Sequence, residues 1–193
     1  MRLDQGPPTS YLPGMAILPI IEAPDPRLKV KAKPVKAVDA RIRQLLADMV
    51  ETMHAAPGIG LAGPQVGEPL RLLVIDVPRE GLPREGQPPN PMKIVNPEIV
   101  WSSEELQPWD EGCLSLPDQF AEVVRPAEVK VRYLDENGAR RELHAKGVMA
   151  VCLQHEMDHL EGVLFVDHIS ALRRNMILRK LQKAKKLKQP VPA

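Results

Sequence analysis

The stretch Val148-Met-Ala-Val-Cys-Leu-Gln-His-Glu-Met-Asp-His-Leu-Glu-Gly162 decides how the rest of the chain is read. It is rich in helix formers, contains no proline, and meets no glycine until Gly162 stops it. Ahead of His155 it is apolar nearly all round, as a helix running through a core would be. Four residues separate His155 from His159, so on a helix both imidazoles project from one face, about 6 Å apart along the axis. Two such nitrogens can bind one metal ion. Glu156 lies between them and is free of ligand duty, where a carboxylate can take a proton from a metal-bound water. The pattern is His-Glu-x-x-His, a signature of metal-dependent hydrolases.

Working outward, a tetrahedral catalytic metal needs a third protein ligand and an open position for water. The longer metzincin pattern would require a histidine at position 165, where Phe165 stands. Downstream, His168 and Asp167 are near in sequence but held on a short tether. Cys113, upstream and flanked by Gly112, is the better third ligand, because a thiolate binds borderline or soft divalent metals strongly. Cys152, three residues before His155, can reach the same side of the helix and reads as a pocket-lining residue. Such a donor set accepts iron, zinc, cobalt or nickel.

Composition bounds the remaining possibilities. At 193 residues the chain is one ordinary domain with enough length for a real core, and 44% hydrophobic content with a net charge of +1 argues against disorder or a wholesale basic coat. Proline is abundant at 21 residues and aromatics are scarce at 3%, which predicts stiff, extended connections. Two cysteines make no disulfide framework. The apolar run Met15-Ala-Ile-Leu-Pro-Ile-Ile21 is too short to span a bilayer and is broken by Pro19, so a cytoplasmic protein with no membrane partner is expected.

Residues 1–14 mix Gly, Pro, Ser and Thr without a period and read as a flexible N-terminal extension; residues 15–188 read as a single catalytic domain. Ile42, Leu45, Leu46, Met49, Val50 and Met53 recur at helical spacing behind Asp39, which predicts an amphipathic helix over 38–56 with an aspartate cap. Pro57 to Gln65 ends that helix in a segment whose two glycines allow close backbone approach. Strands are predicted at 71–77, 93–101, 120–125 and 128–134, with Asp135-Glu-Asn-Gly138 turning the last of these into a hairpin partner at 140–145. A helix follows from about 170 to 188, basic from Arg173 to Lys188. The fold class is α+β: small antiparallel or mixed sheets wrapped around a central buried helix that carries the metal motif, with a C-terminal helix.

Three motifs in order, Gly58-Ile-Gly-Leu-Ala-Gly-Pro-Gln65, Glu111-Gly-Cys-Leu-Ser115 and Gln154-His-Glu-Met-Asp-His-Leu160, resemble those of the peptide deformylases, bacterial enzymes that remove the N-terminal formyl group from nascent polypeptides. The likeness extends from Met15 to about Lys186. It implies a metal held by Cys113, His155 and His159, with ferrous iron favoured, and Glu156 as general acid/base. It further implies oxyanion donors from the Gln65 amide and the Leu114 backbone N–H. A methionine pocket is implied at Val148, Val151, Cys152 and His155, and pairing of the peptide backbone at Ile59-Gly60 and Glu111-Gly112. The family also docks on the ribosome through its C-terminal helix, which the basic run here suits, and a monomer is expected. Gly63 replaces a more usual alanine. Phe120 stands where many members have arginine or another polar residue paired with the glutamate of the second motif, which leaves the neutralisation of Glu111 open. Two rival readings are a zinc peptidase cutting internal bonds and a non-catalytic, metal-stabilised RNA-binding module.

Overall fold

The computed structural model describes residues 16–78 and 86–188. The predicted extension over 1–14 and residues 79–85 lie outside the described residues.

Helix α1 (Ala40–Ala55) begins where the sequence places it: Asp39 Oδ1 accepts the Ile42 N–H at 2.9 Å, satisfying an otherwise orphaned donor. The chain then makes a short strand, β1 (Gly60–Ala62), and a 3-10 turn (Gly63–Val66). Next come β2 (Leu72–Ile75), β3 (Met92–Ser102), β4 (Leu106–Cys113), β5 (Leu116–Pro126), β6 (Glu128–Leu134) and β7 (Arg140–Lys146). Helix α2 (Gly147–Leu160) follows β7 directly, and α3 (Ala171–Lys188) ends the described chain. The strands form an antiparallel five-stranded sheet in the order β1-β2-β3-β6-β7 and a separate two-stranded sheet, β4-β5. The α+β architecture read from the sequence is the one observed.

Strand β2 shows why the layers stack as they do. All four of its residues are buried, since alternate side chains serve different helices. Leu72 and Val74 join Leu45, Leu46, Met49 and Met53 of α1, whereas Leu73 and Ile75 join Ala150, Cys152 and Leu153 of α2. A continuous apolar run is what a strand covered on both faces requires. The far side of α2 meets the β4-β5 hairpin and the 3-10 turn Phe165–Asp167. There Leu116, Ala121 and Val123 pack with Leu28, Leu164, Phe165 and Val166. So α2 is enclosed between two sheets, and Gly162 stops it with φ +73 where a Cβ would meet the Lys29 carbonyl carbon at 2.7 Å.

Three sequence expectations shift. Strand β2 is shorter than 71–77: the Arg71 N–H bonds the Lys33 carbonyl at 2.8 Å, outside the ladder, and the strand ends at Ile75. Strand β5 starts at Leu116, four residues early, and β4 was not foreseen as a strand.

Candidate active site

The helical spacing of α2 brings His155 and His159 together, with ring centroids 5.1 Å apart. Cys113 arrives from the end of β4, where the hairpin register shifts after Gly112. Its Sγ stands 3.3 Å from His159 Nε2, and one donor atom each of Cys113, His155 and His159 lies within 4.8 Å of the others. Both histidines are buried and Cys113 is half-buried. The alternative third ligands are engaged elsewhere: His168 Nε2 is 2.7 Å from Asp158 Oδ2, and Asp167 pairs with Lys29 and Arg174.

A thiol and two imidazoles converging in the interior suit a divalent transition metal. Glu156 also fits that use: it is 4% exposed, and its Oε2 has no hydrogen-bond partner among the described residues. A carboxylate in that position is costly unless it has work with a polar guest. Burial, reinforced by the charge of Glu111, pushes Glu156 up to about 7 against the pull of His155 and Arg125.

The two imidazoles differ electrostatically. Burial and the neighbouring His155 push His159 well below the ordinary histidine value, keeping it neutral, the form a metal binds. Burial also acts downward on His155, but its hydrogen bonds to Cys113 and Glu111 outweigh that and raise it well above the ordinary value. A cation competes for the same lone pair. His155 Nδ1 lies 2.8 Å from Glu111 Oε2, which leaves its Nε2 to face the cluster.

The open point about Glu111 is resolved by a residue that sequence reasoning missed. Arg125, 5% exposed, donates through Nε and Nη2 to both oxygens of Glu111, the latter at 3.0 Å, and through Nη1 to Asp158 Oδ2 at 2.9 Å. Phe120 takes no part in this pairing because its side chain points to the solvent face of β5. Burial alone would raise Glu111; the bonds from His155 and Arg125 prevail and hold it at about 2. A signal was present: Ala121, Val123 and Arg125 alternate inward on β5, so the arginine had to meet a buried acid.

Gln65 is 1% exposed and locked at both ends. Its Oε1 accepts the Ala62 N–H at 2.8 Å, and its Nε2 donates to Ser115 Oγ at 3.1 Å while lying 3.5 Å from Cys113 Sγ. Ser115, the last residue of the second motif, is thereby a partner of the Gln65 amide. Leu114 follows Cys113 in the hairpin turn, its side chain against Gly58.

Gln65, Cys113, His155 and Glu156 form the floor of a cleft of about 380 Å3 whose walls include Ile59, Gly60, Glu111, Gly112, Leu114, Val148, Val151 and Cys152. Every residue expected at the peptide and methionine sites is therefore gathered here. Glu111 differs in one respect, since its side chain serves His155 and Arg125 and only its backbone is left for a peptide. Cys152 is a wall residue outside the metal cluster, its Sγ 3.5 Å from the Ile59 carbonyl. Gly60 must be glycine because a Cβ there would run into the Glu156 carboxylate and meet Cys152 Sγ at 2.9 Å. Trp109, Pro57 and Phe120 also line the cleft and were not assigned from sequence.

Comparison with known proteins agrees with this geometry. A family model described as polypeptide deformylase matches residues 17–175. The peptide deformylase of Rhizorhabdus wittichii is 54% identical over 176 residues, covering 91% of this chain and 99% of that protein. The crystal structure of peptide deformylase from Ehrlichia chaffeensis matches with a TM-score of 0.83 and 43% identity, covering 89% of this chain and 98% of its own. The same enzyme in complex with actinonin matches with a TM-score of 0.82 and 43% identity, over 91% and 100% of the two chains. No described helix is long and apolar enough to cross a membrane. A cysteine-and-histidine cluster in a cleft, on a chain matched along nearly its whole length, leaves one conclusion: the chain belongs to the polypeptide deformylase family, metal-dependent enzymes that remove the N-formyl group from nascent polypeptides.

Proposed function

We propose that Cys113, His155 and His159 hold the catalytic divalent cation, and that Glu156 moves the proton in formyl hydrolysis. The observation that carries this reading is the convergence of the three donors beside a buried carboxyl with an unpartnered oxygen. Bound there, the cation acidifies water and polarises the formyl carbonyl. Glu156, held near neutrality by burial, accepts the proton of the attacking water and returns it to the leaving amine, so the products are formate and a free α-amino terminus. Gln65 Nε2 and the Leu114 N–H stabilise the negative oxygen that develops as the carbonyl is attacked. A preorganised donor of this kind is worth about 3 kcal/mol. The anchoring of Gln65 by Ala62 and Ser115 supports that role, because the amide is aimed before substrate arrives.

The peptide lies as an added strand between Ile59-Gly60 and Glu111-Gly112. Among the described residues, strand β1 ends its sheet and β4 pairs only with β5, so each presents a backbone edge to the cleft. The methionine side chain enters between Val148, Val151 and Cys152, with His155 at its base. Recognition through main-chain atoms tolerates many sequences, as a nascent-chain enzyme requires. Ferrous iron is the working metal, with zinc, nickel or cobalt as replacements in a purified sample. The protein acts as a cytoplasmic monomer, and the basic face of α3, with Arg173, Arg179, Lys180 and Lys183 exposed, meets ribosomal RNA.

The deciding experiment is formate release from formyl-Met-Ala-Ser by anaerobically prepared protein, with metal content measured on the same sample. One equivalent of iron and formate as the only new acid are expected. Cleavage of internal bonds in unformylated peptides would instead favour the peptidase reading. Actinonin should compete with the peptide if the cleft is the site.

A further inference from the structure

We infer that Phe120 is a specificity-determining residue, its ring forming the outer wall of the peptide cleft and selecting an apolar side chain at the second position of the formylated substrate. This rests on the reading above that the peptide lies along β4. Phe120 and Gly112 are direct cross-strand partners in the hairpin. Because residue 112 has no side chain, the ring leans across it, and a Cβ at Gly112 would meet the ring Cδ1 at 2.9 Å. A residue of the neighbouring strand thus reaches the cleft, where it is one of the lining groups while remaining 63% exposed.

Side chains of an added strand alternate between faces. When the methionine side chain points inward with Glu111 toward α2, the next side chain points to the opposite face, which carries Gly112 and Phe120. Partial burial of an aliphatic or aromatic group against an exposed phenyl ring is favourable in proportion to the apolar area removed from water. Behind the ring, Asp110 and Glu122 are also cross-strand partners, and both are exposed. Two carboxylates on that face disfavour a third from the substrate.

The test compares kcat/KM for formyl-Met-Leu-Ser, formyl-Met-Gly-Ser and formyl-Met-Glu-Ser with wild-type, Phe120→Ala and Phe120→Arg proteins. The wild type should prefer leucine to glycine by about fivefold, mostly through KM, and should place glutamate last. In Phe120→Ala the leucine-to-glycine ratio should fall to within about twofold of one, and in Phe120→Arg glutamate should rise above glycine. Phe120 is solvent-exposed, so thermal melting should show that both variants fold. A wild type indifferent to the second residue, or a leucine preference that survives Phe120→Ala, overturns the assignment. Absence of formate from all three peptides with the wild-type enzyme would instead strike the reading on which it rests.

Discussion

Helices α2 and α3 are of similar length and close in sequence, yet they do opposite work. In α2, nine of the fourteen residues are buried, polar ones included. In α3, Leu181 is the one buried hydrophobic among the described residues, while Leu172, Met176 and Leu187 are exposed at 73%, 63% and 78%. The difference teaches that enclosure is what turns ordinary side chains into reagents. His155, Glu156 and His159 are shifted from their usual acidities because water has been removed and specific charges stand in its place. On α3 charges are solvated, and their collective field is available only to a large partner.

The sharpest way to break this contrast is Cys113→Ala. Removing the one donor outside α2 should abolish metal retention and activity, as read by metal analysis after gel filtration; a variant that keeps a full equivalent would show that the helix binds alone. Next, Glu156→Gln should keep the metal yet lower kcat by about 10²–10⁴, the usual worth of a positioned acid/base group. The wild-type rate should fall as acid protonates Glu156, on a limb at or below pH 7, since a bound cation favours the anion and draws that value down. That limb should be missing from the residual rate of the variant.

Glu111→Gln ranks third, with metal affinity reduced by about 10- to 100-fold, as competition with a chelator would measure. It also has a pH signature. Glu111 sits at about 2 rather than 4.5, so its ion pair stabilises the fold fully above pH 4.5 and loses that contribution as pH falls toward 2. The amount is on the order of 3 kcal/mol, and the acid unfolding curve of Glu111→Gln should lack this dependence. A last pair of substitutions compares the helices directly and includes the smallest effect. Leu153→Ala in α2 should cost about 2–5 kcal/mol in urea unfolding, whereas Leu187→Ser in α3 should stay within about 0.5 kcal/mol.

What could be read in advance follows the range of the interaction. Helices α1 and α2 were legible because a 3.6-residue period and an aspartate cap are local facts, and the ligand spacing of His155 and His159 is local too. The β6-β7 hairpin was legible through its Asp135–Gly138 turn, where the Gly138 N–H bonds the Asp135 carbonyl at 2.9 Å. Strand β1 was hidden because three residues that include a glycine carry no period. Strand β4 was hidden because Pro108 and Gly112 interrupt its alternation. Arg125 escaped for a different reason: its partners Glu111 and Asp158 lie 14 and 33 residues away, and only the register of β4 against β5, laid on α2, brings them together.

Among the described residues, the β4-β5 hairpin shares no backbone ladder with the five-stranded sheet. Cys113 therefore belongs to one structural body and the two histidines to another, joined by the hydrogen bonds from Arg125 to Asp158, between His155 and Glu111, and from Gln154 to the Pro126 carbonyl. A cation gripped by all three is a rivet as well as a reagent. Loading it should slow hydrogen exchange along the hairpin, and extracting it should let that flap breathe, so occupancy by the ion and rigidity of the substrate channel rise and fall together.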